Sequence, residues 1–117
     1  MKTYKIKRRS YGMSRVEVKV YTNLLDWYEL KHICTHSPDG FEFGYAGSGP
    51  ADLALSILVD VYGDIRQVGT PRYQQFKEDI ISTKKDWYWE ITEEEIRMWD
   101  KLSRIGEWYE NKKEKET

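Results

Sequence analysis

The chain opens with two stretches in which apolar and charged residues alternate. In "TYKIKRRSYGMSRVEVKVYT", Tyr4 and Ile6 alternate with lysines, and three later valines alternate with a glutamate and a lysine. On a strand, a period of two places one set of side chains inward and the charged set outward. Residues 10–14, with Gly12 among them, have the composition of a turn. The pattern therefore predicts an N-terminal β-hairpin.

Residues 23–40 give a weaker signal, and two interpretations of them stay open. Leu24, Trp27 and Lys31 share one face if the segment forms a short helix. The same apolar spacing also fits a loop followed by a strand around Ile33. The Ser-Pro-Asp-Gly run that ends the segment is typical of a turn.

Two aromatic stretches also alternate. The sequence "FEFGY" predicts a strand with Phe41, Phe43 and Tyr45 on one side. The sequence "DWYWEI" predicts another strand, with Trp87 and Trp89 on its apolar side. Together with the hairpin, these strands would form a small antiparallel sheet.

The clearest helix signal covers residues 50–62. Pro50 suits the first helical position, because its fixed φ fits a helix and its missing N–H would be unpaired there. Gly49 is then the predicted N-cap, and Gly63 is the predicted C-terminal glycine. Apolar residues cover most of the circumference, so we expect this helix to be central and mostly buried.

One narrow polar stripe interrupts that apolar surface. Asp52, Ser56, Asp60 and Asp64 recur every four residues. Asp52 falls in the predicted first turn, where negative charge is favoured. Paired carboxylates at this spacing can do acid–base work, but a solvated stripe on an otherwise buried helix is the interpretation that we prefer.

Two further helices follow. In "TPRYQQFKEDIIS", Thr70 is the predicted N-cap, Pro71 starts the helix, and apolar residues recur at helical spacing. Thr92 and Glu95 predict a capping box for a third helix. That helix has acidic residues in its first turn and basic residues after them, an order that interacts favourably with the helix dipole.

These elements predict a single α+β domain over residues 1–110 and a charged, flexible tail over residues 111–117. A small antiparallel sheet with the N-terminal β-hairpin packs against three α-helices. The helix over residues 50–62 lies at the centre. The chain of 117 residues is long enough to bury a core, although not a large one.

Composition narrows the function classes without choosing one. The net charge of −1 requires neither a nucleic-acid nor a membrane partner, although residues 1–20 carry seven basic residues against one acid. Nucleic-acid binding through this basic hairpin therefore stays open. A single cysteine excludes an intramolecular disulfide and fits a reducing compartment. No apolar run could span a bilayer and no secretory signal is present, so we expect a cytoplasmic protein without a membrane partner.

Three stretches are distinctive: "HSPDGFEFGYAGSGPADLALSIL", "YQQFKEDII" and "EEIRMW". Together they resemble an uncharacterised family, the domain of unknown function 6166, and the first stretch carries the densest part of the match. The family is met in bacteria, archaea, phages and plasmids. The resemblance therefore implies an accessory protein of a virus or mobile genetic element, in the host cytoplasm if viral. It implies no activity, because the family has none assigned.

The glycine-rich segment before the central helix is a candidate anion or nucleotide site. Backbone N–H groups and the dipole of a helix N-terminus can hold a phosphate. The spacing matches neither the dinucleotide fingerprint nor the Walker loop, which needs a lysine where this chain has Pro50. A tight structural turn is the alternative. The candidate ligand-binding residues are Tyr45, Gly47, Ser48, Gly49, Ala51 and Arg72.

His32, Cys34 and His36 would point to one side of a strand, which makes them weak candidates for a metal site. No second cluster completes a closed zinc site, so we expect no metal and no cofactor. Cys34 with either histidine could form a nucleophile pair, but the sequence shows no orienting acid. We therefore lean against an enzyme and name no catalytic residue.

The remaining candidates are aromatic. Trp87, Trp89, Trp99 and Trp108 could form a stacking platform for bases, although the apolar periodicity favours the core for all but the last. Trp108 and Tyr109 are the candidate interaction surface. Two functions stay open: a non-catalytic binding protein with an anionic or nucleotide ligand at the glycine-rich segment, or an interaction or oligomerisation module that blocks a host partner.

Overall fold

The computed structural model describes residues 1–9, 16–33, 37, 40–106 and 108. Several sequence predictions concern residues outside this range: the hairpin turn over residues 10–14, Cys34, His36, Tyr109 and the tail. The turn predicted at residues 37–40 is described only at its two ends.

Four antiparallel strands form one sheet in the order β3-β2-β1-β4. They are β1 (Thr3–Arg8), β2 (Val16–Tyr21), β3 (Trp27–Glu29) and β4 (Tyr88–Thr92). The predicted hairpin is confirmed as β1 and β2, and the strand predicted from "DWYWEI" is confirmed as β4. The predicted α+β fold class is confirmed with them.

The two faces of the sheet differ. The inner face packs on the helices, and its buried side chains are Tyr4, Ile6, Val16, Val18, Val20, Trp89 and Ile91. The outer face carries charged and aromatic side chains, and no helix or strand of the described chain packs on it.

Three helices match the three predicted ones: α1 (Ser48–Tyr62), α3 (Thr70–Asp79) and α4 (Glu93–Arg104). A four-residue helix, α2 (Ile65–Val68), and a 3-10 turn (Ile81–Thr83) were not predicted. α1 packs against α2, α3 and the 3-10 turn, which confirms its central place. No helix in the described part of the chain combines the length and the apolar character that a membrane span requires.

α1 begins two residues earlier than the sequence predicts. Its N-cap is Gly47 rather than Gly49, and Pro50 occupies the third helical position. The missing N–H of Pro50 is still one of the unpaired donors of the first turn there. Asp52 lies beyond the first turn. The prediction that its negative charge interacts favourably with the helix dipole in that turn was therefore wrong. Gly63 ends the helix with a φ of 84°, as predicted.

The strand predicted from "FEFGY" is wrong. Residues 41–47 form no strand, although Phe41 and Phe43 are buried in the core. Gly44 turns the chain with a φ of +89° and donates its N–H to the carbonyl of Ile81 in the 3-10 turn, not to a strand. After this turn, the side chain of Tyr45 does not join those of Phe41 and Phe43 in the core, and it is 52% exposed.

Other local predictions need smaller corrections. β3 begins well before Ile33, and the helical alternative for that segment does not form. Gly69 rather than Thr70 is the N-cap of α3. The capping box of Thr92 and Glu95 at the start of α4 is confirmed, with both of its hydrogen bonds present.

The tryptophans divide between the core and the surface. Trp99 is fully buried, and its ring centre lies 4.8 Å from that of Phe76 in an edge-to-face contact. Trp89 is buried and packs edge-to-face on Phe43. Trp87 precedes the first residue of β4 and is 62% exposed, so its predicted burial was wrong.

Candidate functional site

The glycine loop, which we define as residues 44–51, is closely packed. A Cβ atom on Gly47 would lie 2.6 Å from the ring of Tyr45, and one on Gly49 would lie 2.8 Å from Cβ of Glu42. Gly49 meets atoms close to the backbone of Glu42 and therefore needs the missing side chain of glycine, whereas Gly47 meets the ring of Tyr45, which is exposed and has room to move. Packing therefore explains Gly49 directly, and Gly47 only while the ring of Tyr45 stays over it.

Arg8 holds the two residues that come just before the glycine loop. Its Nη1 donates to Oε1 of Glu42 at 2.6 Å, and its Nη2 donates to the carbonyl of Phe43 at 3.2 Å. Its guanidinium also lies 4.4 Å from the centre of the Phe43 ring. Gly44 donates its N–H to the carbonyl of Ile81 at 3.0 Å. A cation of the hairpin thus reaches this loop, but it is already paired with Glu42.

The other predicted ligand-binding residues do not converge. Ser48 is exposed at the start of α1, whereas Ala51 is buried. Arg72 donates to Asp100 at 2.6 Å and to Ser103 at 2.8 Å, beside a cavity of about 30 Å³ that the C-terminal half of α1 also lines. At 1.5 Å per residue, that part of α1 lies roughly 15 Å from the glycine loop. Arg72 therefore does not complete a site there.

The first half of the polar stripe, Asp52 and Ser56, is buried, so the predicted solvated stripe was wrong there; Asp60 and Asp64 are partly exposed. Asp52 has no exposed surface. Its Oδ2 accepts the backbone N–H of Ser37 at 2.9 Å and lies 2.9 Å from Nε2 of His32. Ser56 accepts the backbone N–H of Ile33 at 3.2 Å. Because buried polar groups need partners, the stripe anchors the segment after β3 onto α1.

Asp60, near the C-terminal end of α1, likewise binds residues from outside the helix. Its carboxylate accepts hydrogen bonds from Lys2 Nζ at 3.0 Å, from Tyr28 Oη at 2.7 Å and from Tyr4 Oη. Burial and then the hydrogen bond to Asp60 raise the pKa of both tyrosines. Burial acts to lower the pKa of Lys2, but its hydrogen bonds raise it overall. Asp64 lies past α1 and caps α2.

His32 is the part of the predicted metal and nucleophile cluster that the structure describes. Its Nε2 is bound to Asp52, and its ring centre lies 4.4 Å from that of Phe41. Asp52 is thus an orienting acid for His32 that the sequence did not reveal. The pairing of Cys34 or His36 with it lies outside the described residues. Among the residues that are described, no three His, Cys, Asp or Glu side chains are grouped to hold a metal ion.

Four of the seven basic residues in residues 1–20 form ion pairs within the chain. The ion pairs are Lys2 with Asp60, Lys5 with Glu90, Arg8 with Glu42 and Arg9 with Glu17. A nucleic-acid site draws its affinity from cations that can replace the counterions of phosphates. Cations already paired with carboxylates give such a site little support.

Lysine and aromatic side chains pair on the outer face of the sheet. Lys5 Nζ lies 4.4 Å from the centre of the Tyr21 ring, and Lys19 Nζ lies 4.3 Å from that of Trp27. The two lysines face each other across β1 and β2, where like charges repel. Each cation–π contact offsets part of that repulsion, by about 0.5–1 kcal/mol for an exposed pair.

The most exposed apolar side chains of the described chain lie in the turn between β2 and β3. We call residues 22–26 the leucine turn. Leu24 is 95% exposed and Leu25 is 87% exposed. The side-chain oxygen of Asn23 accepts the backbone N–H groups of Leu25 and Asp26, both at 2.9 Å. The polar groups of the turn thus bond to one another while both leucines contact solvent.

An open groove of about 500 Å³ adjoins the leucine turn on the outer face of the sheet. Its lining includes Met1, Thr3, Lys5, Tyr21, Leu24 and Glu90. Its volume lies within the range of about 300–1,000 Å³ that is typical of ligand pockets. The groove is open to solvent, and its walls are partly apolar and partly charged.

The predicted interaction residues lie elsewhere. Trp108 is partly buried against the core, and Tyr109 lies outside the described residues, so a contact surface there stays a prediction. Leu24 and Leu25 were not predicted as a site. A signal was present, because two adjacent leucines between an asparagine and an aspartate sit in a turn composition, where both cannot reach a core.

Comparison with known proteins adds one match. The model of a family described as a family of unknown function (DUF6166) matches residues 4–102. This range covers most of the chain, and it confirms the resemblance found in the sequence. No curated protein matches the chain, and no solved structure matches it.

Proposed function

We propose that this chain, which belongs to the DUF6166 family of unknown function and takes no activity from it, is a non-catalytic protein-interaction module. It docks through the leucine turn onto an apolar surface of a partner protein. In the setting that the resemblance implied, it is an accessory protein of a virus or mobile element that blocks a host protein. The observation that carries the proposal is the exposure of Leu24 and Leu25 on a turn closed by its own hydrogen bonds.

Because the two leucines are exposed, the folded chain lacks the stabilisation that their burial would contribute. Burying a leucine side chain is worth about 1.5–3 kcal/mol relative to leaving it in water. Single exposed apolar residues are ordinary on protein surfaces. Here Leu24 and Leu25 are adjacent, and Met1 and Trp27 nearby are also exposed. An apolar end of this kind is typical of an interaction site.

The rigidity of the turn supports the same function. Binding costs about 0.5–1.5 kcal/mol for each flexible side chain that becomes ordered. The hydrogen bonds of Asn23 order the backbone of the turn before any partner arrives. At the base of the turn, Tyr28 of β3 is fixed to Asp60 of α1 at 2.7 Å. Both contacts lower the entropic cost of docking.

The charges around the leucine turn indicate the chemistry of the partner. Lys5 and Lys19 lie side by side between Glu90 and Glu29 on the outer face, so the face carries charges of both signs. A strongly charged partner gains little from such a surface. A protein surface with an apolar centre and a mixed polar rim, which is the ordinary anatomy of an interface, fits it.

The test places a photo-crosslinking amino acid at position 24 or, as control, at position 105 in the full chain, expressed in its natural host. Ile105 is also an exposed apolar residue, at the end of α4. The cross-linked partner is then purified and its affinity measured by calorimetry. We expect L24S/L25S to weaken binding at least about thirtyfold, and the matched variant M98S/I105S to bind as the wild type. Equal loss in both variants, or no loss in the first, contradicts the proposal.

An anionic or nucleotide ligand at the glycine loop is the second candidate and stays a prediction. Ser48 is exposed at the N-terminus of α1, and a helix N-terminus favours anions. Titration of ¹⁵N-labelled protein with inorganic phosphate and then ATP tests it. Saturable shifts of the Ser48 and Gly49 amides would support the ligand, and unmoved amides would remove it.

A further inference from the structure

The free edge of β4 carries unpaired backbone groups. Arg8 donates its N–H to the carbonyl of Trp87 at 2.8 Å, and Glu93 donates to the carbonyl of Lys2 at 2.8 Å. Because the hydrogen-bonded pairs of an antiparallel ladder alternate, the N–H and C=O groups of Tyr88 and Glu90 point away from β1. No backbone group in the described chain pairs with them.

Within β4 itself, the charge of Glu90 is the one device that protects this edge. Proteins protect free edges with very short strands, lysine, proline, bulges or a covering element. β4 has five residues, "YWEIT", with neither lysine nor proline. Its register with β1 runs without a bulge from Thr92 to Tyr88. The edge at β3 has only three residues, which is itself a protective device.

We propose that β4 pairs with β4 of a second copy of this chain, about a two-fold axis that passes beside Trp89. Both sheets then join into one continuous sheet. In this register Tyr88 of each copy is opposite Glu90 of the other, and the outward N–H and C=O groups of both residues are used. Two such pairs exchange about four hydrogen bonds.

Charge selects this register over its neighbours. Hydrogen bonding along the edge allows only shifts that keep the outward-pointing residues opposite one another. One such shift places Glu90 opposite Glu90 of the second copy. The shift in the other direction places Asp86 opposite Glu90. Like charges directly opposite each other are destabilising, so the register centred on Trp89 is the favoured one.

The same register covers the most exposed aromatic ring of the described chain. Trp87 is 62% exposed, whereas Trp89 and Ile91 on the same side of β4 are buried. Centred on Trp89, the pairing places Trp87 of one copy against Ile91 of the other. The two Trp89 residues are then opposite each other in the pair without hydrogen bonds, but their side chains are already buried within each copy.

The contact is small, so the dimer is weak. Edge pairing of one short strand buries less than the roughly 1,000 Å² of a stable interface. We therefore expect a dissociation constant on the order of 10–100 µM.

Analytical ultracentrifugation of the full chain from about 1 to 500 µM tests the pairing with two matched proline variants. Glu90→Pro removes an outward N–H at β4 and leaves the bonds to β1 in place. Glu29→Pro makes the same change at β3, where the N–H of Glu29 also points outward. We expect the wild type and Glu29→Pro to dimerise with similar affinity, and Glu90→Pro to lose affinity at least tenfold. Glu90→Gln keeps the N–H and should still dimerise.

Amide exchange on the wild type gives a readout that needs no variant. The amides of Tyr88 and Glu90 should gain protection as the concentration rises, while that of Glu29 should not. Three results would overturn the proposal: a monomer at every concentration, loss of the dimer in Glu29→Pro but not in Glu90→Pro, or protection at Glu29 instead of Glu90.

Discussion

The glycine loop and the leucine turn both connect elements of the fold, and they differ in what holds them. The glycine loop is held by close packing, with Gly49 against Glu42 and Gly47 under Tyr45. The leucine turn has no glycine and is held by the side chain of Asn23, which leaves its leucines in solvent. Glycines therefore mark close approach here, whereas the exposed surface lies where the turn satisfies its own polar groups.

The largest effect is expected from filling space in the glycine loop. In Gly44→Ala the new Cβ atom meets the carbonyl of Lys84 at 2.9 Å, and φ is +89°. Strain and overpacking together should lower the free energy of unfolding by about 2–4 kcal/mol. Urea unfolding measures it. Gly63→Ala is the control, since its φ is also positive but nothing lies within 4 Å of the new atom, and it should lose only about 1–2 kcal/mol.

A loss of about 1 kcal/mol or less in Gly44→Ala, equal to that of Gly63→Ala, would show that the loop can expand. The glycine loop would then be as adaptable as a binding loop, and the contrast with the leucine turn would fail.

The hydrogen bonds that Tyr4 and Tyr28 donate to Asp60 predict that the protein loses stability at alkaline pH. The pKa values of Tyr4 and Tyr28 are raised in the fold, by burial and then by their hydrogen bonds to Asp60. A raised pKa means that the neutral phenol stabilises the fold below the ordinary value near pH 10, and that this stabilisation is lost as the pH rises above it. The free energy of unfolding should fall above about pH 10.

Tyr4→Phe isolates this contribution. It should be less stable than the wild type at pH 8 by about 1 kcal/mol, because one hydrogen bond is lost. Its stability should then decline less steeply above about pH 10. Urea midpoints over a pH series measure both slopes, and parallel slopes would show that Tyr4 does not carry the effect.

A smaller effect is expected from loosening the leucine turn. Asn23→Ala removes the acceptor for the N–H groups of Leu25 and Asp26. These groups are exposed and can bond to water, so the free energy of unfolding should fall by only about 0.5–1.5 kcal/mol. Amide exchange at Leu25 and Asp26 should become faster. Unchanged exchange would mean that Asn23 does not order the turn.

Local signals explain what the sequence could predict. Alternation in β1 and β2, the cap residues Thr92 and Glu95, and the apolar run of α1 each depend on neighbours in the chain. The failed strand at residues 41–45 depended on a distant contact instead, because Gly44 turns the chain and bonds to Ile81 of the 3-10 turn. Its aromatic alternation still predicted correctly that Phe41 and Phe43 are buried.

The candidate site was harder to predict for a related reason. A polar stripe looks the same whether water or a loop covers it, and only the fold brings Ser37 and His32 onto Asp52. Likewise, Leu24 and Leu25 carry no periodic pattern, and only the path of the turn leaves them exposed. Glycines drew attention to the loop before α1, although their cause is packing.

The most direct measurement pairs stability with binding in two variants of the full chain. L24S/L25S changes the leucine turn, and Ser48→Glu places a negative charge at the exposed start of α1, where the helix dipole tolerates it. We predict that both variants keep the free energy of unfolding within about 0.5 kcal/mol, and that only L24S/L25S loses the cross-linked partner. Loss of binding in Ser48→Glu with retention in L24S/L25S would contradict the account and return the function to the glycine loop.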